Sequence, residues 1–245
     1  MNKALIKTLF GILFAILSVA ATSGLFQLEF FRSLELKAYD ALVQARGERT
    51  HTSNVVIVTI DEYTMKEMDY PIPRDKYGPL LAILAQSGAR VIGVDDLFPT
   101  TREDSISQFQ NDQFLFYHSY APNVYHAIGP FVPDEADLGE TKVDLEAAAV
   151  LRQHSIPKRG EFGFQKATYI DERPYDSLVN LAAGIGHILI RPDMDGVIRS
   201  VPFFIEYGGD YYPTFGASLA FAAAQVDLQT VNVEETEEGG LVVRA

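Results

Sequence analysis

An α/β fold with a mixed, partly parallel sheet flanked by helices, preceded by one transmembrane helix, is predicted by three features of the sequence. An uncharged apolar run extends from Thr8 to Gln27. Two short β-branched segments, Val55–Ile60 and Arg90–Val94, bracket a stretch with helical periodicity. Two strand-patterned runs, His187–Ile190 and Val197–Tyr207, flank a Pro192–Gly196 turn as a C-terminal β-hairpin.

The run TLFGILFAILSVAATSGLFQ is long enough to cross a hydrocarbon core at about 1.5 Å per residue. Lys3 and Lys7 precede it and Glu29 follows it, a bias that puts the N-terminus in the cytoplasm and the body outside. Ser18-Val19-Ala20 offers a signal-peptidase site as one alternative, and a buried soluble helix is another. The apolar run continues through Leu25 and Phe26 past that site, which favours the anchor. The expected division is an anchor over residues 1–28, seated in the lipid bilayer of a cell inner membrane through 8–27, and an extracytoplasmic (periplasmic) body over 29–245.

The 245 residues, 47% of them hydrophobic, can bury a sizeable core. With 33 acidic against 20 basic residues the net charge is −13, which argues against nucleic acid as a partner. The absence of cysteine excludes disulfides and thiolate metal sites.

Phe30, Phe31, Leu34, Leu36, Tyr39, Leu42 and Val43 recur at near-helical spacing, and Gly47 marks the stop of that helix. A helix continuing the membrane segment outward would be a stiff element able to carry motion. Val55–Ile60 has the pattern of a strand buried on both faces of a parallel sheet, ending at Asp61-Glu62. Pro71 and Pro73 break the chain, and Asp75 is placed to cap a helix with Tyr77, Leu80, Leu81 and Leu84 on its apolar stripe and Gly88 at its end. Pro79 is expected in its first turn or just beyond. Arg90–Val94 then completes a βαβ unit and ends at Asp95-Asp96.

Further on, Ser105–Ser119 reads as a helix, Val124–Phe131 as a third strand, and Pro133–Arg159 as a surface excursion. Tyr175–Ala183 reads as a short helix, Gly208-Gly209-Asp210 as a turn, and Pro213–Gln225 as an alanine-rich helix. Leu241-Val242-Val243 looks like a strand cut short, the pattern of a fragment.

Asp61 and Asp95 are expected at the carboxyl ends of parallel strands, where open α/β sheets place their crevices, with Glu62 and Asp96 beside them. Such oxygen ligands could hold Mg²⁺ or Ca²⁺, with Asp61 and Asp95 as the metal candidates, or could cap helices and pair with Arg74 as structural links. Asp193-Met194-Asp195-Gly196 resembles part of a calcium loop but lacks the distal Glu, and a tight turn explains it. Arg199 and Arg191 flank that turn and could meet an anionic ligand or the nearby aspartates. His187 could be a ligand, a pH-sensitive group or a packed side chain. No phosphate loop, nucleophile elbow or His-Glu-x-x-His helix occurs, and no cofactor is implied.

Four segments in order resemble the second class of CHASE domains. They are the Tyr39-Asp40 helix leading into VVIVTIDEYTM, the Pro71-Ile72-Pro73-Arg74 step, GARVIGVDDLF, and GHILIRPDMDGVIRSVPF. Asp96 stands where that family carries a less polar residue, and no Trp precedes Arg74. The resemblance implies an extracellular sensory input module, normally coupled to an adenylate or guanylate cyclase, a histidine kinase or a serine/threonine kinase absent from this chain. A small ligand or a periplasmic partner, and a homodimer, are the expected associations. A membrane-tethered metal-dependent hydrolase using Asp61 and Asp95, and a purely dimerising scaffold, are the alternatives from other classes.

Overall fold

A computed structural model describes residues 11–19, 29–48, 54–68, 71–99, 105–131, 143–235 and 241–244. The chain divides into two units, Met1–Thr59 with Pro192–Val197, and Ile60–Arg191 with Ile198–Ala245.

In the first unit, residues 11–19 are helical (α1) with Ile12, Phe14 and Val19 exposed. Helix α2 (Glu29–Arg46) ends as its sequence requires: Gly47 takes φ +69° and donates its N–H to the Gln44 carbonyl at 3.1 Å. No helix among the described residues is long and apolar enough to cross a membrane. Residues 8–10 and 20–27 of the expected span lie outside the described residues. Pro192–Val197 contains the expected turn, closed by Gly196 N–H to Asp193 C=O at 2.8 Å and Asp193 N–H to Val197 C=O at 2.9 Å. Gly196 occupies the left-handed region at φ +79° that these bonds demand.

The second unit begins with α3 (Glu62–Glu67) and α4 (Arg74–Gln86). Helix α4 closes in a Schellman motif, with Ala89 N–H on Leu84 C=O and Gly88 N–H on Ala85 C=O, both at 3.1 Å. The chain continues through β1 (Ile92–Val94), α5 (Ser105–His118), β2 (Val124–Phe131), α6 (Leu145–Leu151), β3 (Ile156–Pro157), β4 (Gln165–Lys166) and β5 (Tyr169–Glu172). It ends with α7 (Asp176–Leu181), β6 (Gly184–His187), β7 (Phe204–Tyr207), β8 (Asp210–Pro213), α8 (Phe215–Ala223), β9 (Asn232–Glu235) and β10 (Leu241–Arg244).

Strand β2 is the centre of the first sheet, parallel to β1 and β6 and antiparallel at its end to β5. Its residues Val124, His126, Ala127 and Ile128 are fully buried, the pattern of a strand covered on both faces. Leu81 of α4 and Phe114 of α5 pack with Ile92, Val94 and Val124 on one face. On the other face α8 comes so close that a Cβ on Gly186 would stand 2.5 Å from Phe215 Cα, and one on Gly93 2.7 Å from a Leu219 methyl. The second sheet runs β3-β8-β7-β4. Ile205, Tyr207 and Tyr212 from it share a core with Ile128 and Ile185 of the first sheet and with Leu151 of α6. The β9–β10 pair is antiparallel, with Val231, Val233, Phe204, Tyr211 and Ile156 in a smaller cluster beside it.

The mixed α/β class is as expected, and several assignments change. Residues 54–60 form no strand and are exposed, Val56 by 86%, because β-branched composition favours extended backbone without supplying a partner edge. The parallel crossover unit is therefore β1-α5-β2. The cap residue of α4 is Pro73 and not Asp75, and Pro79 sits inside the helix. The hairpin is β7-β8 around Gly208-Gly209, at φ +60° and +86°, the two left-handed residues of a type I′ loop. The predicted partner run His187–Ile190 overlaps β6, which pairs with β2. Within the predicted excursion 133–159, residues 133–142 lie outside the described set, whereas Ala147, Ala148, Leu151 and Ile156 are core.

Gly186→Ala should destabilise the protein by about 1–3 kcal/mol, since its Cβ must displace helix backbone. Urea unfolding of the variant at parental stability would contradict this packing.

Candidate functional site

A proline sets the first functional side chain. Pro73 is held at φ −59°, ψ 136°, and delivers Arg74 to the first position of α4. The Arg74 guanidinium donates to Asn111 Oδ1 of α5 at 2.8 Å and to the Pro99 carbonyl at 2.6 Å. It also lies 5.8 Å from the Phe98 ring centre and 5.4 Å from that of Tyr175. A planar fork is the side-chain shape that can hold two acceptors and two ring faces together.

Pro99, Asn111 and Tyr175 also wall a cavity of about 660 Å³, shared with Asp112, Leu115, Ile170, Arg173 and Asp176. That size suits a small organic ligand. Arg173 pairs with Asp176 on its rim, while the exposed Asp112 carboxylate makes no hydrogen bond or ion pair among the described residues. The Tyr175 hydroxyl is buried without a hydrogen-bond partner, and burial pushes its pKa up to about 12.

The sequence-predicted carboxylates have separate duties. Asp61 caps α3, accepting from the Thr64 N–H and hydroxyl at 2.8 Å each, and these bonds hold its carboxyl below the usual range. Glu62 sits in the first turn of that helix. Asp95 follows β1 and is exposed. Asp96 accepts a short hydrogen bond from the Tyr77 hydroxyl of α4. Among the described residues no group of three His, Asp or Glu side chains is placed to hold a metal. Asp193 and Asp195 lie in the turn of the first unit, where Asp195 Oδ1 accepts the Val197 N–H at 3.2 Å, and Arg199 follows in the second unit. His187 ends β6 and is buried; its Nδ1 accepts the Leu189 N–H at 3.2 Å, its Nε2 has no partner, and burial lowers its pKa to about 4. Arg74, alone held by two of the cavity's wall residues among the bonds described above, grips Asn111 and the Pro99 carbonyl.

A second polar feature lies inside the core. His118, the last residue of α5, and His126 of β2 are both fully buried, with Nε2 atoms 3.0 Å apart and rings stacked at 21°. Phe114 meets both rings edge-on and Phe98 meets His126. Both Nδ1 atoms are buried without a hydrogen-bond partner. Burial is the main cause that pushes their pKa values down, to about 4 for His118 and about 3 for His126, where the charge of His118 adds to the effect. Sequence reasoning missed this pair, together with Asn111, Asp112, Arg173 and Tyr175. The available signal was polar residues at buried positions, Asn111 inside α5 and His126 inside a strand.

The family model described as CHASE2 domain matches residues 12–244. No curated protein and no solved structure matches the chain.

Arg74→Ala strands the buried Asn111 acceptor and should cost roughly 1.5–3 kcal/mol in denaturant unfolding. Arg74→Lys should recover only part of that, because one ammonium cannot span both acceptors. A neutral Arg74→Ala would remove Arg74 from the role of tying these walls together.

Proposed function

Because the chain belongs to the CHASE2 family, an extracellular sensory class and not a catalytic one, we propose that it is the extracytoplasmic input module of a transmembrane receptor. Its output, a cyclase or kinase domain, lies in the cytoplasm and outside this chain. The family match over nearly the whole chain is the observation that carries this reading. The uncharged run Thr8–Gln27 supplies the inner-membrane anchor, and the flanking lysines orient it.

Helix α2 follows that run and links it to the body. Phe31, Leu34, Ala38, Ala41 and Ala45 repeat on one exposed face at the 3–4 spacing of a two-helix seam. We read this face as the contact with a second copy, so that a stimulus reaches the membrane as a change in the pairing of two α2 helices. The cavity beside Arg74 is the proposed seat of the stimulus. A ligand there acts as a signal only if it binds two arrangements of the domain with different affinity.

The natural absence of cysteine makes both points testable with single thiols. Exposed Tyr120→Cys should react with a membrane-impermeant maleimide in spheroplasts without lysis, and labelling only after lysis would refute the orientation. Ala38→Cys should form a disulfide-linked dimer on mild oxidation, and an uncrosslinked chain would count against the α2 pairing.

A further inference from the structure

We propose that His118 and His126 form a proton-operated latch between the C-terminus of α5 and the central strand β2, closed when both imidazoles are neutral and released as protons put charge into their enclosed site. Their Nε2 atoms stand 3.0 Å apart, a hydrogen-bond distance. A neutral pair makes that bond in one way: one ring donates its Nε2–H, and the other accepts at Nε2 while carrying its proton on Nδ1. A first proton leaves that bond in place, the charged ring donating to its neutral partner, but it encloses a charge among Phe98 and Phe114. A second proton leaves two N–H groups facing each other and the bond is lost.

The backbone of His118 favours a charge on that ring, but burial outweighs it. Among the described residues neither ring hydrogen-bonds a carboxylate. The charged or titratable groups on the surrounding elements are few. Arg74 and Tyr77 approach from α4 through Phe98 and Phe114. Asp96, after β1, is engaged by the Tyr77 hydroxyl. His154, at the end of the short helical turn after α6, bonds the Val179 carbonyl through Nε2 at 2.9 Å and opposes charging of His126. A protonated His154 adds positive charge and so disfavours protonation of His126.

Unfolded or exposed histidine takes its proton near pH 6.5, whereas the closed pair resists to about 4 and below. The closed state therefore binds fewer protons in that window. Its stability is complete above about 6.5 and declines as the pH falls toward 4. For each histidine the opening equilibrium shifts on the order of a hundredfold by pH 4. Helix α5 also carries Asn111 and Asp112, so release of its end alters a wall of the cavity and the anchor of Arg74. That consequence for signalling rests on the sensory reading; the latch itself does not.

Hydrogen exchange of the full chain, corrected for the intrinsic pH dependence of exchange, should show the protection of residues 105–118 falling about a hundredfold or more between pH 7 and 4, well beyond any loss in α8. His118→Phe/His126→Phe keeps two stacked rings without the titration and should hold α5 protection constant over that range. Equal loss in α5 and α8, constant wild-type protection, or a double variant with the wild-type profile would each overturn the latch. Should the double variant not fold, the wild-type imidazole resonances decide: titration near 6.5 with α5 intact overturns it, and rings neutral until α5 opens support it. Any of these failures leaves the receptor topology, which thiol labelling reads separately, untouched.

Discussion

Burial of β2 on both faces is the constraint from which the larger unit is built. Three strands hydrogen-bond to it, α4 and α5 cover one face, and α8 covers the other closely enough that Gly93 and Gly186 leave no space for a side chain. A strand enclosed in this way has no solvent to satisfy a polar side chain, so each one it carries must find a partner within the protein. His126 is the case in point. Its partner is another buried histidine at the end of the helix that packs above it.

The same geometry explains why the polar site lies where it does. The chain leaving β1 passes Asp96, Phe98 and Pro99 in quick succession, and α4 presents Tyr77 and Arg74 to them. Tyr77 takes the first carboxylate, while Arg74 takes the Pro99 carbonyl, the Phe98 face and, across the gap, Asn111 of α5. A single guanidinium so connects α4, the β1 exit, α5 and, through Tyr175, the approach to α7. The cavity is the space left outside that junction, lined partly by the groups that hold Arg74. Pro99, Asn111 and Tyr175 therefore both hold Arg74 and wall the cavity.

The histidine pair and the cavity meet on α5. Asn111 and Asp112 lie about two turns before His118 along that helix, at the roughly 1.5 Å rise of each residue. An element fastened at its end by one proton-sensitive hydrogen bond and along its length by Arg74 has two fastenings of different chemistry. Helix α5 carries both.

Local pattern was enough to locate α2, α5, β2, α7 and α8, because helical stripes and β-branched runs express backbone preference directly. The Asp61 cap is also a local event, a side chain bonding three residues ahead, yet the sequence left capping and metal binding both open for it. Local pattern could not tell which strands pair. Val55–Ile60 and β2 are both apolar, yet β2 lies at the centre of the sheet and residues 54–60 are exposed. The hairpin was displaced for the same reason: the Asp195-Gly196 turn and the Gly208-Gly209 turn carry equal local signals, and only the latter joins paired strands. By itself the sequence determined the mixed α/β class, most helices, the family and the net negative charge. Tertiary structure alone decided the pairing of His118 with His126, the grip of Arg74 on Asn111 and the cavity beside it. Those contacts join residues distant in the chain, and no periodicity within one segment reports the chemistry of a neighbour that folding brings to it.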